Sequence, residues 1–258
     1  MMMPALPVSS LGGHHPAFMD VQAQQSDDER AREIFEELDA RRSAITYETS
    51  TMEMKIIDRR GRERRREMKS YTHSQDDVSK SLTVFEAPAD VRGTGLLNID
   101  EGGEEVQRLY LPAVGRVQTV SGSQRGDRFM GSDFTFEDLG NQNPDNFDFE
   151  LMEETEDEIK LLATPVEESQ YAYIHFFIDA DRLVLRRAEY FNAEDEQIKE
   201  LTASDYENVR DNIWRPGTMI MRDLRSERRT ELRWTGRTFD ETIPDRYFTE
   251  RQLRRGLQ

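Results

Sequence analysis

The stretch Tyr110–Leu139, YLPAVGRVQTVSGSQRGDRFMGSDFTFEDL, places four large apolar side chains, Phe129, Met130, Phe134 and Phe136, in a connector otherwise built from Gly, Ser, Asp and Arg. Left in water, each would forgo about 1.5–3 kcal/mol of burial. They must pack onto something, and what they cover decides the fold. Gly131 permits a tight turn, Ser132 and Asp133 can hydrogen-bond local backbone, and Thr135 with Asp138 has the spacing of a capping box for a short turn through Leu139. Phe134, Phe136 and Leu139 then ride on a small plug.

What lies beneath the plug follows from the flanking segments. Ile45, Tyr47 and Thr49 alternate with polar residues, while Met52, Met54 and Ile56 continue on the other parity, which predicts a bulge near Thr51. Asp58-Arg59-Arg60-Gly61 reads as a hairpin turn. Further strands are expected over 64–73, 80–87, 95–99, 106–111, 116–121, 147–153, 158–164, 172–178, 183–191, 197–206, 218–223 and 229–234. Many strands with short connections and few helices mean an antiparallel sheet. One helix precedes it, with a capping box at Ser26–Glu29 and Ala31, Ile34, Phe35 and Leu38 at helical spacing up to about Arg42. A second closes the chain: Thr249 caps it with Gln252 as partner, Phe248 and Leu253 form a staple, and Gly256 stops it. The expected fold is mainly β (α+β), one long, strongly curved antiparallel sheet with a helix at each end, in one domain over 26–258. Residues 1–25 read as a disordered leader or signal remnant. Val21-Gln22-Ala23 has the small residues of a cleavage site, but a charged n-region and a long apolar core are missing.

Composition removes several functions. The net charge of −17 argues against a nucleic-acid partner, which needs a clustered basic surface. Only five of the 35 basic residues are Lys, and an acid-rich, Lys-poor surface suits solubility in high salt, so a halophilic habitat is expected. Cysteine is absent, which excludes disulfides, thiol catalysis, cysteine metal sites and a lipid-modified N-terminal Cys. No apolar run is long enough to span a membrane as a helix. His73 and His175, outside any HExxH or GxSxG context, read as strand histidines with ordinary hydrogen bonds. The Asn/Asp-rich segment 141–148 lacks the Gly and Glu of a calcium loop and reads as a solvated turn. No catalytic residue, metal or cofactor is expected. The basic run 59–67 is either a headgroup patch or a solvated hairpin that blunts a sheet edge, and the interspersed Glu63 and Glu67 favour the hairpin.

From about Ile45 to Leu253 the chain resembles the outer-membrane lipoprotein-sorting family, in its broad LolA-like branch. The matching segments are Gly93-Thr94-Gly95, Leu109–Ala113, Arg116-Val117, Phe129–Phe134, Phe136–Leu139, Trp214-Arg215-Pro216, Met219–Asp223 and Phe248-Thr249. The resemblance implies an incomplete barrel whose concave face is covered by helices and the plug loop. Its hollow would take acyl chains of lipoproteins or lipids in the periplasm and carry them, without catalysis, towards the outer membrane. A membrane-bound donor or acceptor protein is an implied partner. The alternative is a lipid-sensing adaptor for an envelope complex or membrane exporter. The methionines suit either a core or a pliable cavity, and the resemblance points to a cavity. The expected lining is Met52, Met54, Phe85, Leu97, Leu109, Leu111, Phe129, Met130, Phe134, Phe136, Leu139, Phe176, Trp214, Met219 and Met221. On its polar loop, the plug is expected to yield to cargo.

Overall fold

The computed structural model describes residues 16–256. In chain order the elements are α1 (Pro16–Ser43), β1 (Tyr47–Ile57), β2 (Glu63–Gln75), β3 (Val78–Ala87), β4 (Gly95–Glu101), β5 (Glu104–Leu111), β6 (Arg116–Thr119), β7 (Phe147–Glu154), β8 (Glu158–Pro165), β9 (Tyr173–Asp179), β10 (Val184–Phe191), β11 (Gln197–Ser204), β12 (Glu207–Arg210), β13 (Ile213–Arg215), β14 (Thr218–Asp223), β15 (Arg228–Phe239) and α2 (Glu250–Arg255). Thirteen strands form one sheet in the order β6-β5-β4-β3-β2-β1-β15-β14-β11-β10-β9-β8-β7. Every pairing in it is antiparallel.

This order explains the opening stretch. The chain enters the sheet in its middle at β1, meanders out to one edge at β6, and resumes at the opposite edge at β7 before meandering back to β15 beside β1. The connector 120–146 therefore joins the two edges, and its aromatic residues pack on one face of the sheet on the way.

Both faces are covered. The crossover face carries the larger core, which takes in Met52, Met54, Ile56, Met68, Phe85 and Leu96 on one half of the sheet and Ala31, Ile34 and Phe35 of α1 on the other, where the Phe35 ring packs against Phe147, Phe149 and Phe176. The opposite face of β3 and β4 presents Leu82, Val84 and Leu97 to Ile243, Phe248 and Leu253 of the closing segment. Gly95 makes that contact possible, because a Cβ there would stand 2.7 Å from Leu253 Cδ1. The α2 helix starts as expected, with Thr249 Oγ1 accepting from Gln252 N at 3.3 Å. The Gln252 side chain turns to the other end and donates to Gly256 O at 2.8 Å.

Three expectations change. The first helix begins at Pro16, ten residues before the capping box read at Ser26, so Ser26 lies inside it; proline is favoured at a first helical position because its missing N–H would have no partner there. Of the expected leader, residues 1–15 lie outside the described residues. The irregularity at Thr51/Met52 is present but belongs to β15: Thr51 pairs with Gly236 and Met52 with Trp234, which leaves Thr235 as the extra residue. The β1–β2 register runs unbroken, so Tyr47 and Met52 face opposite sides, each with its own core. Finally, the strand expected over 197–206 ends at Ser204, and β12 and β13 pair as a separate hairpin.

Candidate functional site: a covered apolar hollow

Cross-strand register sorts the crossover face into rows. One row is Met52, Met68 and Phe85; the next is Ser50, Ser70, Thr83, Leu96 and Leu109; the third is Glu48, Thr72, Ser81, Asn98 and Gln107. The first row fills space with long side chains. The second begins with three short hydroxyl residues, which cannot reach the segment above them, and Ser70 Oγ and Thr83 Oγ1 satisfy each other at 3.0 Å. A hollow of about 400 Å³ results. Its apolar walls include Met52, Met54, Met68 and Leu96 below, Phe129, Phe134 and Leu139 above, and Met219, Leu232 and Trp234 at the side.

The roof is strongly fastened. Phe129, Phe134 and Phe136 are 2%, 3% and 7% exposed. Met130 takes a left-handed φ of +50° and Gly131 one of +72°, a conformation disfavoured for methionine by about 1 kcal/mol or more. Two guanidiniums hold that turn: Arg66 Nη1 donates to Met130 O at 2.6 Å and Arg228 Nη2 to Gly131 O at 2.7 Å. Asp133 N donates to Thr230 Oγ1 at 2.9 Å, and that hydroxyl donates to Asp133 Oδ2 at 2.8 Å. Gln107 and Asn98 of the third row hold Phe136 O and Leu139 O, each at 2.9 Å. The Thr135/Asp138 capping box forms in both directions, at 2.7 and 3.3 Å.

Beyond the roof, the Asp138 carboxylate accepts from Lys199 Nζ at 3.0 Å and Tyr171 Oη at 2.6 Å. Lys199 Nζ also donates to Tyr171 Oη at 2.8 Å. Burial, reinforced by the Asp138 charge, pushes the Tyr171 phenol far above its usual range, so it stays a neutral donor. Asp133 is pushed up by burial, which the Thr230 hydroxyl and the guanidiniums of Arg228 and Arg128 only partly offset. Asp138 lines the 400 Å³ hollow and also a second cavity of about 230 Å³, walled by Phe35, Phe147, Ile174, Phe176 and Leu201, so this polar cluster stands between the two.

Of the expected lining residues, Met52, Met54, Phe129, Phe134, Leu139 and Met219 border the larger hollow, and Phe176 borders the smaller one. Phe85, Phe136 and Met221 are buried in the same core, with Leu109 and Met130 packed against it. Leu97 is a correction: strand alternation sends it to the opposite face, against the closing segment. Leu111, half-buried near the end of β5, belongs to neither core. Trp214 lies on the β13 hairpin under the Arg182 guanidinium, 5.5 Å from its ring centroid, while Trp234 takes the wall position. His73 departs from its expectation too: it stacks on Tyr47 with centroids 4.7 Å apart, and neither buried ring nitrogen has a hydrogen-bond partner. His175 Nδ1 lies 3.8 Å from Glu189. In the Asn/Asp-rich segment, Asn143 caps a turn by accepting from Asp145 N at 3.0 Å, and Asp145 pairs with Arg32. Sequence reasoning missed Arg66, Gln107, Asn98, Lys199, Arg228 and Thr230, the fasteners of the roof; polar residues at inward strand positions were the available signal.

The comparisons with known proteins agree with this architecture. A family model described as "-like: Uncharacterized protein" matches residues 77–255, and the chain belongs to that family. The structure is similar to that of a "putative outer membrane lipoprotein-sorting protein domain" from Vibrio parahaemolyticus, with a TM-score of 0.83 and 28% identity over 88% of this chain and 99% of that one. It is equally similar to a DUF1329 family protein from Desulfovibrio piger, at a TM-score of 0.82 and 28% identity, with the same shares of the two chains covered. A LolA superfamily protein from Nitrosomonas europaea shares the fold at a TM-score of 0.69 and 18% identity, over 86% of this chain and 98% of that one. No curated protein matches the sequence.

Proposed function

We propose that the chain is a non-catalytic carrier that holds acyl chains of lipoproteins or lipids in the covered hollow and passes them towards the outer membrane from the periplasm. The observation that carries this reading is the hollow itself: methionine and aromatic walls, a floor shortened by Ser50, Ser70 and Thr83, and a roof locked in place above it. A core selected only for stability would fill that space, because interiors pack densely. Each methylene an acyl chain buries contributes about 0.8 kcal/mol, so such cargo is held without a dominant residue. The relatives described as lipoprotein-sorting and LolA proteins support the same reading. A partly closed, curved sheet is part of it: thirteen strands laid flat at about 4.8 Å spacing would separate the edges too far for a connector folded into turns to join them. Among the described residues no helix is long and apolar enough to cross a membrane.

The test fills the floor. Titrated with a fluorescent fatty-acyl probe, the wild type should bind it, and Ser70→Leu should bind at least tenfold more weakly with a melting temperature no lower than that of the wild type. Unchanged probe affinity in Ser70→Leu would refute the hollow as the acyl site.

A further inference from the structure

At one end of the hollow the walls turn charged. Glu48 Oε2 accepts from Arg215 Nε at 3.1 Å and Glu48 Oε1 from Arg237 Nε at 3.0 Å. The side chains of Arg215, Arg237 and Glu48 are 10%, 9% and 15% exposed. All three border the hollow. Both guanidiniums are fixed in advance: Arg215 Nη2 donates to Arg42 O at 2.9 Å and its Nη1 to Arg41 O and Trp214 O at 3.5 Å, Arg237 Nη2 donates to Pro216 O at 2.7 Å, and Arg237 lies over the Trp234 ring, 4.7 Å from its centroid. Arg42, exposed at the same end, pairs with Asp39. Asp138, the other acid of the wall, is matched by Lys199.

The charges do not balance. Two sheltered guanidiniums share one carboxylate, and the exposed Glu207 is the further acid that the Arg237 charge feels. An excess of positive charge out of water is costly unless an anion meets it. In a chain of net charge −17 this excess stands at the polar end of an apolar cavity. Arg237 Nη1 has no hydrogen-bond partner among the described residues. The open nitrogen of the pre-positioned Arg237 guanidinium suits a carboxylate or phosphate oxygen, Arg215 adds its charge beside it, and little ordering cost remains at binding.

We propose that Arg215 and Arg237 form a headgroup subsite for an anionic amphiphile, its carboxylate or phosphate at the guanidiniums and its chain along the hollow. This rests on the acyl-chain reading above and adds the class of headgroup.

Three ligands of one chain length test it by titration calorimetry: dodecanoate, dodecyl phosphate and dodecanol, with inorganic phosphate as a fourth. The wild type should bind both anions at least tenfold more tightly than the alcohol. Arg237→Gln should lose that preference while keeping its affinity for dodecanol, which also reports that the variant is folded. Should Arg237→Gln fail to fold, Arg237→Lys keeps the charge without the fork and should retain only part of the preference. Equal affinity of acid and alcohol in the wild type would overturn the headgroup subsite and leave the carrier reading standing. Inorganic phosphate binding as tightly as dodecyl phosphate would make this a free-anion site and overturn the proposal. Failure of all four to bind would overturn both readings.

Discussion

Asp133 and Thr230, 97 positions apart, hold each other twice: the Thr230 hydroxyl accepts from the Asp133 backbone N–H and donates to its carboxylate. Both residues are 0% exposed. One hydroxyl thus ties the crossover to β15, the central strand of the sheet. Thr230→Val keeps the shape and removes both bonds, leaving a buried N–H unmet and the Asp133 carboxylate with only the Arg228 and Arg128 charges nearby. A loss of about 2–4 kcal/mol is expected from the unpaired groups, with Thr230→Ser close to wild type. Urea unfolding of the three proteins checks it, and a Val variant within 1 kcal/mol of wild type would contradict the tie.

Phe136 is 7% exposed and meets Phe129 edge-on, with centroids 5.7 Å apart. Its loop position invites the idea of a gate displaced by cargo, but Gln107 holds its carbonyl, and the turns on either side are bonded to strands through Arg66 to Met130 O and Asn98 to Leu139 O. Phe136→Ala is therefore expected to leave a cavity and cost about 3–5 kcal/mol. A thermal or urea melt decides it; a cost below about 1 kcal/mol would restore the gate.

Lys199 and Asp138 form an ion pair whose side chains are 7% and 2% exposed. Lys199→Met should cost about 3–5 kcal/mol, because it strands a buried carboxylate. The double variant Asp138→Asn/Lys199→Met should recover part of that loss, since its remaining amide is neutral. Additive single effects in the double-mutant cycle would show that the two charges do not interact.

Asp179 gives a pH signature. Burial opposes its ionisation, but hydrogen bonds from the Arg182 side chain and backbone and from Arg186 outweigh this and hold the carboxyl far below its ordinary value of 3.8. A depressed folded-state value stabilises the fold above the unfolded value, and this contribution disappears as pH falls below it towards the folded one. The wild type should therefore lose stability on acidification below about pH 4, and Asp179→Asn should be less stable at neutral pH and flatter in that acid window. Parallel acid slopes for the two proteins would exclude the pairing as the source.

The sequence by itself determined the strands of the thirteen-stranded sheet, though not the β12–β13 hairpin, and with them the Asp58–Gly61 turn, the Thr135/Asp138 and Thr249 caps, and that Phe129, Phe134 and Phe136 had to be buried. Each rests on neighbours within a few residues, where alternation, capping distance and side-chain size act directly. Tertiary structure decided what those segments meet. Leu97 and Leu96 look interchangeable in sequence, yet one packs on the closing segment and the other floors the hollow, because successive side chains point to opposite faces and both faces are covered. Ser50, Ser70 and Thr83 look like surface residues until strand register aligns them under the crossover. Arg66, in a run that reads as solvated charge, is 8% exposed and bonded to Met130 O, since its strand position points inward. Glu48, Arg215 and Arg237 become a cluster only because β1, β13 and β15 converge at one end of the hollow. Local propensity acts over a few residues, whereas a site assembled across a thirteen-stranded sheet depends on register and long-range pairing.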